Sequence, residues 1–229
     1  MESYMNRISN TGIVPVVKIL EKEDAYPLAK ALLNGGIDVI EVTYRSEHAT
    51  SAIQTISEQL PDMLVGAGTV LSVEQAKEAV EAGAKFIITP GFNTKVVQWC
   101  LDHDVEVYPG VSTASEVEMA LSMGLTQLKF FPAESSGGAK KLKDLSAPYA
   151  NVHFMPTGGI NTKNMHDYLS LPNVEAIGGS FMLPNDLVVA KDWDGIEALS
   201  RSAIKSLLDF QLIHVGINTN SPEESKQVT

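Results

Sequence analysis

Short runs of apolar, mostly β-branched residues recur along the chain at intervals of about 20 to 25 residues. Each run is followed by a stretch whose apolar positions return with helical spacing. The spacing predicts strands over Ile13–Ile19, Val39–Arg45, Leu64–Val70, Phe86–Pro90, Val105–Gly110, Gln127–Pro132, His153–Thr157 and Ala176–Gly179. Helical stretches lie between them, including Asp24–Asn34, Glu47–Gln59, Val73–Glu81, Ser115–Met123 and Thr162–Leu169. Most of these are bounded by polar residues or glycine, as helix ends require. The rhythm is β-α repeated eight times.

Eight parallel strands, each buried by the helix that follows, can close on themselves, and the expected architecture is an α/β fold, a single (β/α)8 TIM barrel. A doubly wound open sheet is the competing architecture. It would carry a Gly-x-Gly-x-x-Gly turn after its first strand, and Val14-Pro15-Val16-Val17-Lys18 offers none. A last amphipathic helix over Asp194–Phe210, with Ile196, Leu199, Ala203, Leu207 and Phe210 near one face, closes the repeat. Residues 1–210 therefore read as one barrel domain and residues 211–229 as a tail outside the eightfold rhythm.

In a barrel the strand C-terminal ends carry the chemistry. Side chains alternate along a strand, so Gln127, Lys129 and Phe131 share one face while Leu128 and Phe130 occupy the other. With the apolar pair turned toward the helices, Lys129 points into the barrel. There an amine loses hydration and its pKa falls from the usual value of about 10.4, which frees the neutral nucleophile. A lysine paired with a buried carboxylate gives the same pattern. The second predicted strand sets Glu41, Thr43 and Arg45 on its inner face and Ile40, Val42 and Tyr44 on its outer one. Arg45, near the mouth, can hold a carboxylate through paired charge-assisted hydrogen bonds, and Glu41, deeper, can move protons. A purely structural Glu41–Lys129 or Glu41–Arg45 ion pair fits the same spacing.

The seventh and eighth predicted strands end in Thr157-Gly158-Gly159 and Gly178-Gly179-Ser180. Many barrels build a phosphate cradle from backbone N–H groups at those two positions, and glycine lets the backbone approach the anion. A small phosphorylated molecule is thus the expected partner. The formal charge of −11 argues against nucleic acid. The apolar runs are far shorter than the roughly 20 residues that span a bilayer, so no membrane partner is expected. The first twelve residues carry no apolar signal region. Cys100 is the single cysteine, excluding an internal disulfide and favouring a reducing, cytoplasmic setting. It lies in the apolar run Val96–Leu101 and reads as a buried thiol. His48, His103, His153, His166 and His214 show no metal-ligand spacing, so neither a metal nor another cofactor is expected.

Taken in order, Ile13–Val17, Ile40–Arg45, Val65–Leu71, Pro109–Thr113, Leu128–Glu134, Pro156–Gly159 and Ile177–Ser180 resemble the strand ends of the 2-keto-3-deoxy-6-phosphogluconate aldolases. That family includes 4-hydroxy-2-oxoglutarate aldolase activity. The resemblance runs from about Gly12 to Leu208 and implies a metal-free class I aldolase that releases pyruvate and glyceraldehyde 3-phosphate. Lys129 matches the Schiff-base lysine and Glu41 the general acid/base. Arg45 and Thr69 match the carboxylate binders. Gly158, Gly159, Gly179 and Ser180 match the phosphate site, and Pro90, Phe131 and Thr157 line the same pocket. A homotrimer is also implied. Tyr44 stands where an aliphatic residue is expected, but its outward parity makes it a packing matter. In the tail, Ile213-His214-Val215-Gly216-Ile217-Asn218 resembles the opening strand of a glyoxalase-like module in which such a histidine binds metal. Only that opening is present, too little to bury a core. A phosphosugar epimerase or isomerase barrel, or a non-catalytic sugar-phosphate binder, shares the anion cradle without requiring Lys129.

Overall fold

A computed structural model describes residues 4–208, so Phe210 and the tail over 211–229 lie outside the described residues. The strands are β1 (Ile13–Val17), β2 (Val39–Thr43), β3 (Leu64–Gly68), β4 (Phe86–Ile88), β5 (Glu106–Tyr108), β6 (Gly110–Val111), β7 (Gln127–Phe130), β8 (His153–Pro156) and β9 (Ile177–Gly179). The helices are α1 (Tyr4–Thr11), α2 (Ala25–Asn34), α3 (Ala49–Gln59), α4 (Val73–Glu81), α5 (Thr94–Asp102), α6 (Ala114–Ser122), α7 (Gly138–Ser146), α8 (Met165–Leu169), α9 (Asn185–Ala190) and α10 (Trp193–Leu207). Every strand pairing is parallel, and the helices supply the crossover connections that parallel neighbours need.

The strands form a curled six-stranded sheet in the order β5-β4-β3-β2-β1-β9 and a three-stranded sheet in the order β6-β7-β8. The strand predicted over Val105–Gly110 is one run in sequence but two in space, because Pro109 has no N–H to donate and the ladder breaks there. β5 pairs with β4, whereas β6 pairs with β7, and the Lys129 N–H donates to the Pro109 carbonyl at 2.9 Å. Isolated bridges from Phe154 to Val174 and from Thr157 to Gly178 connect β8 to the β9 side.

The strand faces sort as their alternation predicts. Ile40, Val42, Leu128 and Phe130 join the apolar cluster that contains the helix residues Leu28, Leu32, Ile53 and Val96. A second cluster collects Val14, Val39, Leu64, Phe86, Ile88, Tyr108 and Met155 on the opposite face. Met5 and Ile8 of α1 belong to this second cluster, which makes the N-terminal helix a cover for the concave side. That role was not legible in the mixed, polar opening of the chain. Asp38 fixes the helix by accepting from Arg7 Nε at 2.9 Å and from the Thr11 hydroxyl. Three further helices, α5, α7 and α9, were also not anticipated, and in α7 only Leu142 and Leu145 are buried. The last helix forms close to its predicted place, with Ile196 and Ala203 buried, but Leu199 is 37% exposed rather than on the inner face. Among the described residues no helix is long and apolar enough to cross a membrane.

Because Ile8 is fully buried in the inner cluster, Ile8→Ala is expected to lower unfolding free energy in urea by about 2–5 kcal/mol, the range for removing a packed core side chain. A loss under about 1 kcal/mol would mean that α1 is not part of the core.

Candidate active site

β2 and β7 belong to different sheets, and their inward side chains meet between them. Lys129 Nζ donates to Glu41 Oε1 at 3.1 Å and approaches Oε2 at 3.4 Å. Lys129 is 4% exposed and Glu41 0%, so the charges are withdrawn from solvent together. Two such groups persist in an interior only when they satisfy one another, since removing one partner leaves an unpaired buried charge costing about 3–5 kcal/mol. The ammonium also lies 5.3 Å from the centroid of the Phe131 ring, close enough for a cation–π attraction.

The room for this pair is cut out of β3. Gly68 faces Glu41 so closely that a Cβ there would overlap the carboxylate. A glycine inside a strand often marks such a close approach, and this was the signal in Gly66-Ala67-Gly68 that reading the strand ends alone passed over. Immediately after it, Thr69 adopts a left-handed backbone with φ 55°. For a residue with a Cβ this costs about 1–3 kcal/mol, and such strain clusters at functional sites.

Nearer the mouth, Thr43 is fully buried and donates its hydroxyl to the Val17 carbonyl at 2.8 Å. The exposed Arg45 donates from Nε to the same hydroxyl oxygen at 3.1 Å. Arg45 and Ser180 line one pocket of 210 Å³, together with Lys18, Leu20 and Asn185. Lys18 is a cation of this pocket that strand-end reading did not single out. Thr157 is buried, and its side chain fills the space a Cβ on Gly178 would need. Gly158 and Gly159 take φ of 105° and 81°, which side chains rarely adopt, so glycine is required at that turn. Gly179 is the last residue of β9, with Ser180 exposed beyond it. Pro90 opens instead onto a neighbouring pocket with Val70, Leu71 and Phe92. The geometry thus joins Lys129, Glu41 and Phe131 in one contact set and Arg45 with Ser180 in a second.

Cys100 is buried in α5, and burial pushes its thiol up to about 12, which keeps it neutral. Tyr44 packs outward with its hydroxyl 3.0 Å from that of Thr50. Among the described residues no group of three His, Cys, Asp or Glu side chains could hold a metal ion.

A family model described as KDPG and KHG aldolase matches residues 4–199. The chain belongs to this family. It is 44% identical over 205 residues to a 2-dehydro-3-deoxy-phosphogluconate aldolase of Treponema pallidum, covering 90% of this chain and 98% of that one. To a KHG/KDPG aldolase of Escherichia coli it is 44% identical over 199 residues, covering 86% and 93% of the two chains. A crystal structure of KDPG aldolase from Legionella pneumophila, with pyruvate captured at low pH as a covalent carbinolamine intermediate, superposes with a TM-score of 0.85 at 39% identity. That match covers 89% of this family member and 99% of the Legionella chain.

Two glycine substitutions separate the carved site from ordinary turns. Gly68→Ala must displace the Glu41 carboxylate and is expected to destabilise the protein by about 1–3 kcal/mol, as overpacked cores do. Gly91→Ala, where an added Cβ meets nothing within 4 Å, should stay within about 0.5 kcal/mol. Chemical denaturation of both variants checks the contrast, and equal effects would remove the special role of Gly68.

Proposed function

We propose that this protein is a class I aldolase that cleaves 2-keto-3-deoxy-6-phosphogluconate to pyruvate and glyceraldehyde 3-phosphate, and accepts 4-hydroxy-2-oxoglutarate, yielding pyruvate and glyoxylate. The observation that carries this reading is the buried Lys129 amine 3.1 Å from Glu41, in a family one of whose members has held pyruvate as a covalent carbinolamine. Glu41 takes a proton from the Lys129 ammonium, the freed amine adds to the C2 ketone, and the proton returns to the carbinolamine hydroxyl so that water leaves and an iminium forms. Glu41, directly or through a water molecule, removes the proton of the C4 hydroxyl. The C3–C4 bond then breaks, its electrons pass to the iminium nitrogen, and the aldehyde leaves as the enamine forms. Protonation at C3 and hydrolysis release pyruvate and return the amine.

In this reading Arg45 and Thr69 hold the carboxylate, while Gly158, Gly159, Gly179 and Ser180 receive the phosphate. Phe131 and Thr157 shape the walls, and Pro90 lines the adjoining pocket. An epimerase or isomerase does not require a buried lysine facing a carboxylate, and neither does a passive binder. The two sheets are read as one closed (β/α)8 barrel, a reading supported by the short gap at Pro109 and by the Thr157–Gly178 bridge. The family resemblance extends the proposal to a homotrimer that works in the cytoplasm without a metal.

Glu41→Gln keeps the shape but not the base, and should lower kcat in the cleavage assay by roughly 10² to 10⁴ with a smaller change in KM. A near-normal kcat would make Glu41 a structural partner of Lys129. Ser180→Asp would set an anion where the phosphate is to bind. It should cost the phosphorylated substrate at least about tenfold in kcat/KM, about 1.4 kcal/mol, and 4-hydroxy-2-oxoglutarate much less. Equal losses on both substrates would remove Ser180 from the phosphate site.

A further inference from the structure

We infer that Thr43 is a positioning residue that orients the Arg45 guanidinium for the substrate carboxylate, an inference that rests on the proposed role of Arg45. A threonine hydroxyl has one proton to give and lone pairs to receive. The Thr43 proton goes to the Val17 carbonyl at 2.8 Å, so toward Arg45 the oxygen can only accept, and it does so from Nε at 3.1 Å. Both ends of this relay are fixed. Val17 lies in β1, Thr43 lies in β2 and is 0% exposed, and the two strands are hydrogen-bonded in register. Arg45 itself is exposed, and among the described residues it takes part in no ion pair that could hold its long side chain.

The relay decides which edge of the guanidinium is available. With Nε engaged from below, the edge formed by Nε and its neighbouring Nη is no longer the open one. The two Nη groups are left to grip a carboxylate end-on in the bidentate geometry that arginine favours. Holding the side chain in that pose before substrate arrives removes the ordering cost from binding, so the benefit should appear in affinity. Thr43 touches neither Lys129 nor Glu41 among its hydrogen-bond partners, which places its influence on KM rather than on the chemical step.

The test is a double-mutant cycle on cleavage of 2-keto-3-deoxy-6-phosphogluconate. Thr43→Val preserves volume but removes the hydroxyl, and should raise KM about tenfold with the loss falling on KM rather than kcat. Thr43→Ser, which keeps the hydroxyl, should restore KM to within about twofold of the wild type. In an Arg45→Gln background, which itself raises KM, adding Thr43→Val should change KM by less than about twofold, because the group it orients is gone. The same tenfold rise in both backgrounds, or no rise in the wild-type background, overturns the positioning role and leaves the Arg45 reading intact. An unchanged KM in Arg45→Gln alone overturns the Arg45 reading, and the role of Thr43 with it. An independent check needs no variant at position 43. The Arg45 Nε proton, assigned in the NMR spectrum by its loss in Arg45→Gln, should exchange with water at least about tenfold more slowly than that of free arginine at the same pH. Equal exchange would contradict a held guanidinium.

Discussion

The buried ion pair between Lys129 and Glu41 is the constraint around which the rest of the molecule is arranged. Neither charge can be withdrawn from water alone, and each is held by a strand of a different sheet, so the pair draws β2 and β7 together across the interior. The neighbouring positions follow from it. β3 must present Gly68, since any side chain there would enter the Glu41 carboxylate, and the apolar cluster of Val14, Val39, Leu64 and Phe86 shares the concave side with it. α1 covers that side. The structural reading of the pair and the functional one are thus the same contact, viewed once as stability and once as chemistry.

A contact of this kind is a poor way to gain stability, because a matched pair of apolar residues would satisfy the interior at less desolvation cost. In the proposed mechanism its use lies in reactivity: the carboxylate that balances the lysine lies 3.1 Å from the nitrogen proposed to form the imine, so one residue would serve as counter-ion and proton carrier in turn. The left-handed Thr69 next to the Gly68 notch points the same way, as backbone strain persists where the surrounding fold fixes it.

Much of this was legible in the sequence, for specific reasons. Period-two alternation fixes the inner face of β2 as Glu41, Thr43 and Arg45, and it sets Lys129 opposite the helices; these inferences need only local rules. Helices with a regular apolar stripe, such as Val73–Glu81, were recovered with their ends. What escaped depended on distant partners or on weak local signal. α1 is eight residues long with three buried positions, α5 hides inside an apolar run, and the lysine-rich α7 buries only two leucines. The break at Pro109 reflects which neighbours each half of the run finds, and the meaning of Gly68 depends on a side chain that approaches from another strand. The strand ends nominated Arg45 and Ser180 but not Lys18, because sharing a pocket is a property of folded space rather than of spacing.

The most direct test of the central claim asks whether the amine of the buried pair is the group that bonds to substrate. Protein incubated with pyruvate and sodium borohydride, digested and read by mass spectrometry should carry the reduced pyruvate adduct on Lys129. An adduct on another lysine, or none from a preparation that cleaves its substrate normally, would contradict the account.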